Sequence, residues 1–388
     1  MQNDSRLAAY RSLAAHPEIF DALRETAGDE LHVQKVLRSR FPDDAVRLAL
    51  SIVELQARAA KKFPQAASMW FDRERLEQAT AWAVATHKAL RFEGAVWDYC
   101  CGIGADAIAL AAHCEVTAVD ADPLACFLTE WNAAALGVAD RVKVLQADVT
   151  QLTDRGGLLH IDPDRRAGAS KRAVRVEDYV PDLDTLRRLT EEFRGGAIKL
   201  SPAANFGGKF DDVEIEIVSL HGEAKEARIW FGDLARPDLW RATLLPSAET
   251  IAGDPLSVEP VLSECREYLF DPDPAVVRAG LIDLLCAQTG LARLDAAEEY
   301  LTAGSPIETP FAVPFRVTAE LPNNERAVRK YLREAHVGRL EIKARRIPID
   351  VPRLHRTLPT DGSRPAVLFY ARIAGKARVL VAERIERL

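Results

Sequence analysis

Apolar residues recur at three-and-four spacing over residues 33–41, 43–63 and 73–89, so the segment to about Arg91 is predicted to be helical throughout. Asp43 and Asp44 offer an N-cap and a first-turn acid, and Pro64 closes the long helix that precedes it. At Ala95 the period changes. Short β-branched or apolar runs at 95–98, 115–120, 142–146, 158–162 and 197–200 then alternate with amphipathic stretches at 105–113, 123–136 and 179–193. That alternation predicts a mostly parallel sheet with helices on both faces. Runs at 213–220 and 224–231, joined through His221 and Gly222, predict an antiparallel hairpin at the sheet edge.

Residues 237–274 are punctuated by prolines and read as a connection with short strands, after which Asp273-Pro274 opens a helix over 275–288. From Phe311 onward the pattern gives a helix over 323–335 and strands at 339–344, 367–373 and 378–383, with Gly375 and Lys376 turning the last pair. The expected fold is α/β: a helical N-terminal domain (1–92), a Rossmann-like sheet domain (93–246), a connecting segment with a helix (247–310) and a small basic α/β domain (311–388).

A chain of 388 residues exceeds what one core usually holds, and 48% hydrophobic against 28% charged residues describes a globular protein able to bury large cores. No apolar run is long enough for a membrane helix and the first residues are polar, so a cytoplasmic location is expected. Six cysteines without CxxC or regular spacing imply neither a disulfide framework nor a metal centre. The net charge of -7 is unevenly spread: residues 311–388 hold 17 Lys/Arg against 8 Asp/Glu, a local +9 that leaves -16 for the rest. One end therefore carries the electrostatic footprint of a polyanion partner.

Candidate chemistry lies at the strand ends. In Asp98-Tyr99-Cys100-Cys101-Gly102-Ile103-Gly104, two glycines let the backbone turn sharply and approach a ligand where strand meets helix. The spacing is not GxGxxG, which argues against a dinucleotide. An acid followed by small residues and two glycines suits the amino-acid end of S-adenosyl-L-methionine, with Asp98 for its ammonium. Asp120 ends the second strand, where an α/β nucleoside site holds ribose hydroxyls, and Asp148 follows the third, placed for an adenine amine. Asp122-Pro123 reads as a helix cap.

Asp98 to Gly104, Val119-Asp120, Asp148 and the segment from His160 to Arg166 together resemble a class I S-adenosylmethionine-dependent methyltransferase. More narrowly, residues 57–64, 76–80 and 337–343 resemble bacterial methyltransferases that carry a THUMP-like C-terminal domain. The resemblance covers most of the chain and implies an RNA-directed methyl transfer. It further suggests that Lys62, Phe63, Gln78 and Thr80 lie close to the core, and helix packing explains each of them equally well.

Asp162-Pro163-Asp164-Arg165 ends the fourth strand and resembles the Asn/Asp-Pro-Pro-aromatic motif of amino-directed nucleic-acid methyltransferases. Asp162 is expected to orient a nucleophilic nitrogen, with Pro163 fixing φ to aim the neighbouring acceptors. Asp164 replaces the second proline, and Arg165 stands where an aromatic would stack, so Arg165 and Arg166 are candidates for phosphate or base contacts. Lys199 and Ser201 close the fifth strand on the same edge and are candidate substrate contacts; His160 reads as packed against a helix. Cys100 and Cys101 lie in the glycine loop, away from Asp162, which argues against a covalent cysteine route. Arg326, Arg329, Lys330 and Arg333 on one helix face, with Lys343, Arg345 and Arg346, offer a phosphate-tracking surface or an ordinary solvated one. RNA is the expected partner. A cofactor-binding RNA module without turnover, and a methyltransferase acting on a small molecule or protein, are the alternatives.

Overall fold

The computed structural model describes residues 2–26, 28–152, 156–165 and 175–385. The chain forms two compact units, Met1–Val213 with Arg228–Pro237, and Glu214–Ala227 with Asp238–Leu388.

The first unit begins with helices α1 (Gln2–Ala14), α2 (Ile19–Glu25), α3 (Glu30–Arg38), α4 (Asp43–Ala59), α5 (Arg73–Gln78) and α6 (Trp82–Ala89). The stretch expected as one helix over 73–89 breaks between α5 and α6, because Thr80 turns inward and its hydroxyl donates to Asp106. Then come β1 (Gly94–Tyr99), α7 (Ala105–Leu110), β2 (Cys114–Asp120), α8 (Pro123–Ala135), β3 (Val142–Gln146), β4 (Leu158–Ile161), the two-residue strands β5 (Asp164–Arg165) and β6 (Tyr179–Val180), α9 (Leu183–Glu192) and β7 (Gly195–Leu200). β1 pairs in parallel with β2 and β4, β2 with β3, and β4 with β7. The order β7-β4-β1-β2-β3 reverses direction between β1 and β4, the switch point outside whose carboxyl ends ligands bind in open α/β sheets.

Helices α1 and α4 share one hydrophobic core with the sheet's own helices: Leu13, Ile52, Phe63 and Phe71 pack with Ile103, Leu124 and Leu128. Trp70 stacks on Trp131 of α8 with centroids 3.8 Å apart. Asn132 closes the seam, its Oδ1 accepting the Trp70 N–H at 2.7 Å and its Nδ2 donating to the Trp70 and Ile103 carbonyls at 3.0 Å. The N-terminal helices thus brace the helix that follows β2.

In the second unit, β8 (Glu214–Leu220) leads through His221 and Gly222, both at positive φ as a two-residue hairpin turn requires, into β9 (Glu223–Gly232), whose end returns to the first unit. Two strands follow where the sequence suggests a connection with short strands: β10 (Trp240–Leu245), parallel to β8, and β11 (Glu249–Gly253), antiparallel to β10. The helix expected over 275–288 divides at Gly280 (φ +71°) into α10 (Pro274–Arg278) and α11 (Ile282–Thr289).

A seven-stranded sheet completes the unit, built from β12 (Tyr268–Pro272), β13 (Ala292–Arg293), β14 (Leu301–Ala303), β15 (Ala312–Pro322), β16 (Val337–Ala344), β17 (Arg364–Ile373) and β18 (Lys376–Arg384) in the order β13-β14-β12-β15-β18-β17-β16. Helices α12 (Glu325–Glu334) and α13 (Val351–Thr357) cover one face through Val328, Leu332 and Leu354. Tyr300, Phe315 and Phe369 pack on the other.

Candidate methyl-transfer site

The loop after β1 carries three left-handed residues, Cys100 (φ 60°), Gly102 (φ 59°) and Gly104 (φ 82°). A side chain at Cys100 makes that conformation cost about 1 kcal/mol or more. A Cβ at Gly104 would lie 3.1 Å from Thr129, whereas one at Gly102 would meet nothing within 4 Å. The surface over Gly102 is therefore open backbone. Asp120 fixes the loop from the neighbouring strand: its Oδ2 accepts the Gly102 N–H at 3.0 Å and its Oδ1 the Asp122 N–H at 2.9 Å. Each oxygen keeps a lone pair for another donor. Burial raises the Asp120 carboxyl, against those two bonds.

Asp122 caps α8 through the Leu124 N–H at 2.9 Å, as the sequence predicts, and is ion-paired with Arg75. Asp148 is exposed and caps the turn Val149–Gln151, accepting the Thr150 N–H and hydroxyl at 2.9 and 2.8 Å. Cys100 lies among Asp120, Asp162, Asp98 and Asp164; burial, then those carboxylates, pushes its thiol well up and keeps it protonated. Cys101 is raised in the same way.

Asp98 lies beneath this loop, 1% exposed. Its Oδ1 is 2.6 Å from His160 Nδ1, and its buried Oδ2 has no hydrogen-bond partner among the described residues. His160 Nε2 is 2.8 Å from Lys88 Nζ, Lys88 lies 2.8 Å from Asp106 Oδ1, and Asp106 Oδ2 accepts the Thr80 hydroxyl at 2.6 Å. Burial raises the Asp98 carboxyl, opposed by His160. Asp106, despite its burial, is held well below the carboxylate range, chiefly by Lys88. His160 is thus a linked group and not merely a packed one. Only its position between apolar strand residues hints at burial, and nothing in the sequence pairs it with Lys88.

At the neighbouring strand end, Asp162 donates its N–H to the Tyr99 carbonyl at 3.2 Å and its Oδ2 is ion-paired with Lys199 of β7. Pro163 is buried. Asp164 Oδ1 accepts from Gln78 Nε2 at 3.4 Å, so the N-terminal helices do reach this edge. Lys62, by contrast, closes the end of α5, donating to the Leu76 and Glu77 carbonyls, and Phe63 packs on Phe71. The Arg165 backbone pairs with Tyr179 in the β5–β6 ladder; its side chain and Arg166 lie outside the described residues. Ser201 shapes the turn after β7: its N–H donates to the Tyr179 hydroxyl at 3.1 Å and its Oγ accepts the Ala203 N–H at 3.3 Å.

The expected basic surface of the second unit divides. Lys343 and Arg345 both bind Asp271, at 2.9 and 2.8 Å, and Arg346 binds Glu299 at 2.6 Å, so this run neutralises acids of its own unit. On α12, Arg329 is held by Glu325 and Lys330 faces Glu334. Arg326 and Arg333 are exposed and have no acidic partner among the described residues, as are Arg339 and Arg364. The last two line a groove of about 660 Å³ on β16–β18 with Glu341, Glu383 and Arg384.

The glycine loop fits a cationic nucleoside better than a phosphate: it has an orphaned buried carboxylate oxygen, open backbone at Gly102, and carboxylates on its flanks. S-Adenosylmethionine, which carries a sulfonium, an ammonium and ribose hydroxyls, has that chemistry.

Comparison with known proteins agrees. Residues 93–183 match the family model described as RNA cap guanine-N2 methyltransferase, and residues 312–384 match that described as THUMP domain-like. The solved structure of a proposed methyltransferase from Porphyromonas gingivalis W83 is similar over 99% of each chain, with a TM-score of 0.74 and 20% identity, a likeness of fold. An uncharacterized S-adenosylmethionine-dependent methyltransferase of Mycobacterium tuberculosis, found in two strains, is 35% identical over 352 residues, which cover 87% of this chain and 95% of that one. With that relative spanning nearly its whole length, the chain belongs to the S-adenosylmethionine-dependent methyltransferases.

Proposed function

We propose that the protein methylates a base nitrogen of structured RNA, tRNA or rRNA, at the edge formed by Asp162 and Pro163. The observation that carries this reading is the match of residues 93–183 to a family model for guanine-N2 methylation of an RNA cap, since that stretch includes both the glycine loop and Asp162-Pro163. The THUMP-like match on the basic end supports it.

The cofactor supplies an electrophilic methyl group. Alignment is what remains for the chain, and alignment supplies about 7–11 kcal/mol in well-oriented systems. In this reading Asp98, Cys100, Gly102, Gly104, Asp120 and Asp148 hold the cofactor, with Asp120 the ribose acceptor and Cys100 contributing backbone. Lys199 occupies Asp162 Oδ2, while Oδ1 has no partner among the described residues and accepts the N–H of the target amine. Pro163 fixes the backbone that aims this acceptor. Lys199 and Ser201 line the substrate side, and Arg165 is kept as a candidate substrate contact from the sequence. Arg326, Arg333, Arg339 and Arg364 contact phosphates.

The test is transfer of labelled methyl from S-adenosylmethionine to total RNA, small metabolites and protein in parallel, with Asp98→Ala and Asp162→Ala as controls. Label in RNA, lost in both variants, supports the reading. Label only in metabolites or protein overturns it and favours a different substrate class, consistent with the -16 charge of the first 310 residues. No label in any pool, with cofactor binding retained, favours an RNA-binding module without turnover, for which the departure at Asp164 speaks.

A further inference from the structure

The chain Thr80–Asp106–Lys88–His160–Asp98 is buried beneath the loop, and its members come from β1, β4, α6, α7 and the turn before α6. Asp98 stands two residues before Cys100 and Asp106 two residues after Gly104, so the pair brackets the glycine loop. His160 stands two residues before Asp162. Lys88, on α6, joins these points: its ammonium is 2.8 Å from Asp106 Oδ1 and 2.8 Å from His160 Nε2. An ammonium has no lone pair, so it donates to Nε2; the ring proton then sits on Nδ1 and is donated to Asp98 Oδ1 at 2.6 Å.

We propose that Lys88 and His160 are positioning residues for methyl transfer, a buried bridge that ties both ends of the glycine loop to the root of the Asp162 turn and so sets the spacing between methyl donor and acceptor. The proposal rests on the reading that the Asp162 edge receives the substrate. Three observations support it. First, the β1–β4 ladder pairs Asp98 with His160 and Tyr99 with Ile161, and one further bond, Asp162 N–H to Tyr99, ends the backbone connection. Beyond that point the loop's middle is held by the Cys101 N–H on the Val119 carbonyl of β2 at 3.2 Å, by Asp120 and by Thr129 and Asn132 on the Gly102 and Ile103 carbonyls, and the bridge secures its two ends.

Second, Lys88 is 2% exposed, Asp106 6% and His160 0%. The Lys88–Asp106 charges, this deep, carry a desolvation cost, and well-packed apolar residues often serve stability as well or better. Fixing geometry is what a charged chain adds. Third, the bridge leaves one Asp98 oxygen unpartnered, on the loop that binds the cofactor, by committing the other to His160.

The full chain tests this through His160→Phe, which removes both bonds, and His160→Asn, whose amide can still donate to Asp98. Affinity for S-adenosylhomocysteine, kcat and KM on total tRNA, and amide exchange of residues 101–106 are measured well below each melting temperature. For His160→Phe the expected results are a cofactor affinity about tenfold weaker, the scale of losing a supporting hydrogen-bond partner, and a kcat about a hundredfold lower, the scale of a misplacement of about 1 Å. KM for tRNA stays near wild type. Amides 101–106 exchange faster while those of β2 and β3 do not. His160→Asn restores most of the affinity.

Wild-type affinity, kcat and loop exchange in His160→Phe would overturn the proposal, as would a uniform loss of protection across the unit, which marks a purely structural role. If His160→Phe does not fold, Lys88→Met combined with Asp106→Asn removes the two charges together and the same readouts decide. Failure of the wild-type protein to methylate total RNA would sink the RNA reading alone, because cofactor affinity and loop exchange do not depend on the substrate.

Discussion

Lys199, on β7, is ion-paired with Asp162 beyond the end of β4, so two neighbouring strands meet in a single charge pair at their carboxyl ends. The pair orients Asp162 and takes up its Oδ2, which in the proposed reading leaves Oδ1 for the substrate. Asp162→Ala should lower methyl transfer by about 10²–10⁴, the range for a positioned acid–base group, while changing cofactor affinity little. Lys199→Met should lower kcat less. Equilibrium binding of S-adenosylhomocysteine beside single-turnover transfer separates these effects, and a full loss of cofactor binding in Asp162→Ala would remove Asp162 from the substrate side.

Asp98 presents the opposite case, a carboxylate whose charge opposes stability and, in the proposed reading, serves the cofactor. Burial raises its carboxyl and His160 only partly offsets this, so the fold tolerates the acid better than the carboxylate. That contribution is complete below the unfolded value of about 4 and is lost as pH rises through the folded value. Asp98→Asn stays neutral at every pH and still accepts from His160. It should therefore melt higher than wild type above about pH 5 and bind cofactor about ten- to a hundredfold more weakly, the equivalent of one charged hydrogen bond. Melts from acid to neutral pH, with and without S-adenosylhomocysteine, would show both. Equal melting temperatures across that range would contradict the account of Asp98.

Asn132 should matter for stability alone. Asn132→Leu keeps the volume but strands the Trp70 N–H, and it takes the side-chain donor from the Trp70 and Ile103 carbonyls, all deep in the seam between α8 and the N-terminal helices. Each buried unsatisfied group costs about 1–3 kcal/mol, so a loss of roughly 3 kcal/mol is expected, read by denaturant unfolding. Folded enzyme at low temperature should retain its cofactor affinity.

What the sequence discloses follows the range of the interactions involved. The parallel strands are readable because buried strands are apolar runs between helical periods; 142–146 agrees with β3 at both ends. Caps at Asp122 and Asp273 are local and correct in kind, each accepting a backbone N–H two residues on. Long-range pairing is not readable. A local reading places Asp162 against its neighbours in sequence, yet it meets Lys199, 37 residues away; His160 meets Lys88, 72 residues away. β10 and β11 are legible only as unplaced short strands, because Pro237, Pro246 and Pro255 flank them and break up the alternation. Net charge locates a basic end but cannot show that Lys343, Arg345 and Arg346 are held by Asp271 and Glu299.

That division of the basic end gives a contrast no simple charge count would predict. Arg326, Arg333, Arg339 and Arg364 are exposed without acidic partners among the described residues, so each can release counterions on meeting a phosphate. Arg345, held by Asp271, Glu299 and the Pro272 carbonyl, has no such freedom. Removing the four exposed arginines should weaken tRNA binding and flatten the dependence of log K on log salt by about 0.7–0.9 for each phosphate no longer neutralised. Arg345→Ala should instead destabilise the fold by roughly 2–3 kcal/mol, as removal of a charged hydrogen-bond set does, and leave the salt slope unchanged at temperatures where the protein is folded. Binding isotherms at several salt concentrations, paired with melting curves, distinguish the two groups. An unchanged slope in the fourfold variant would mean that these arginines do not touch phosphate, and that RNA, if bound, is held elsewhere.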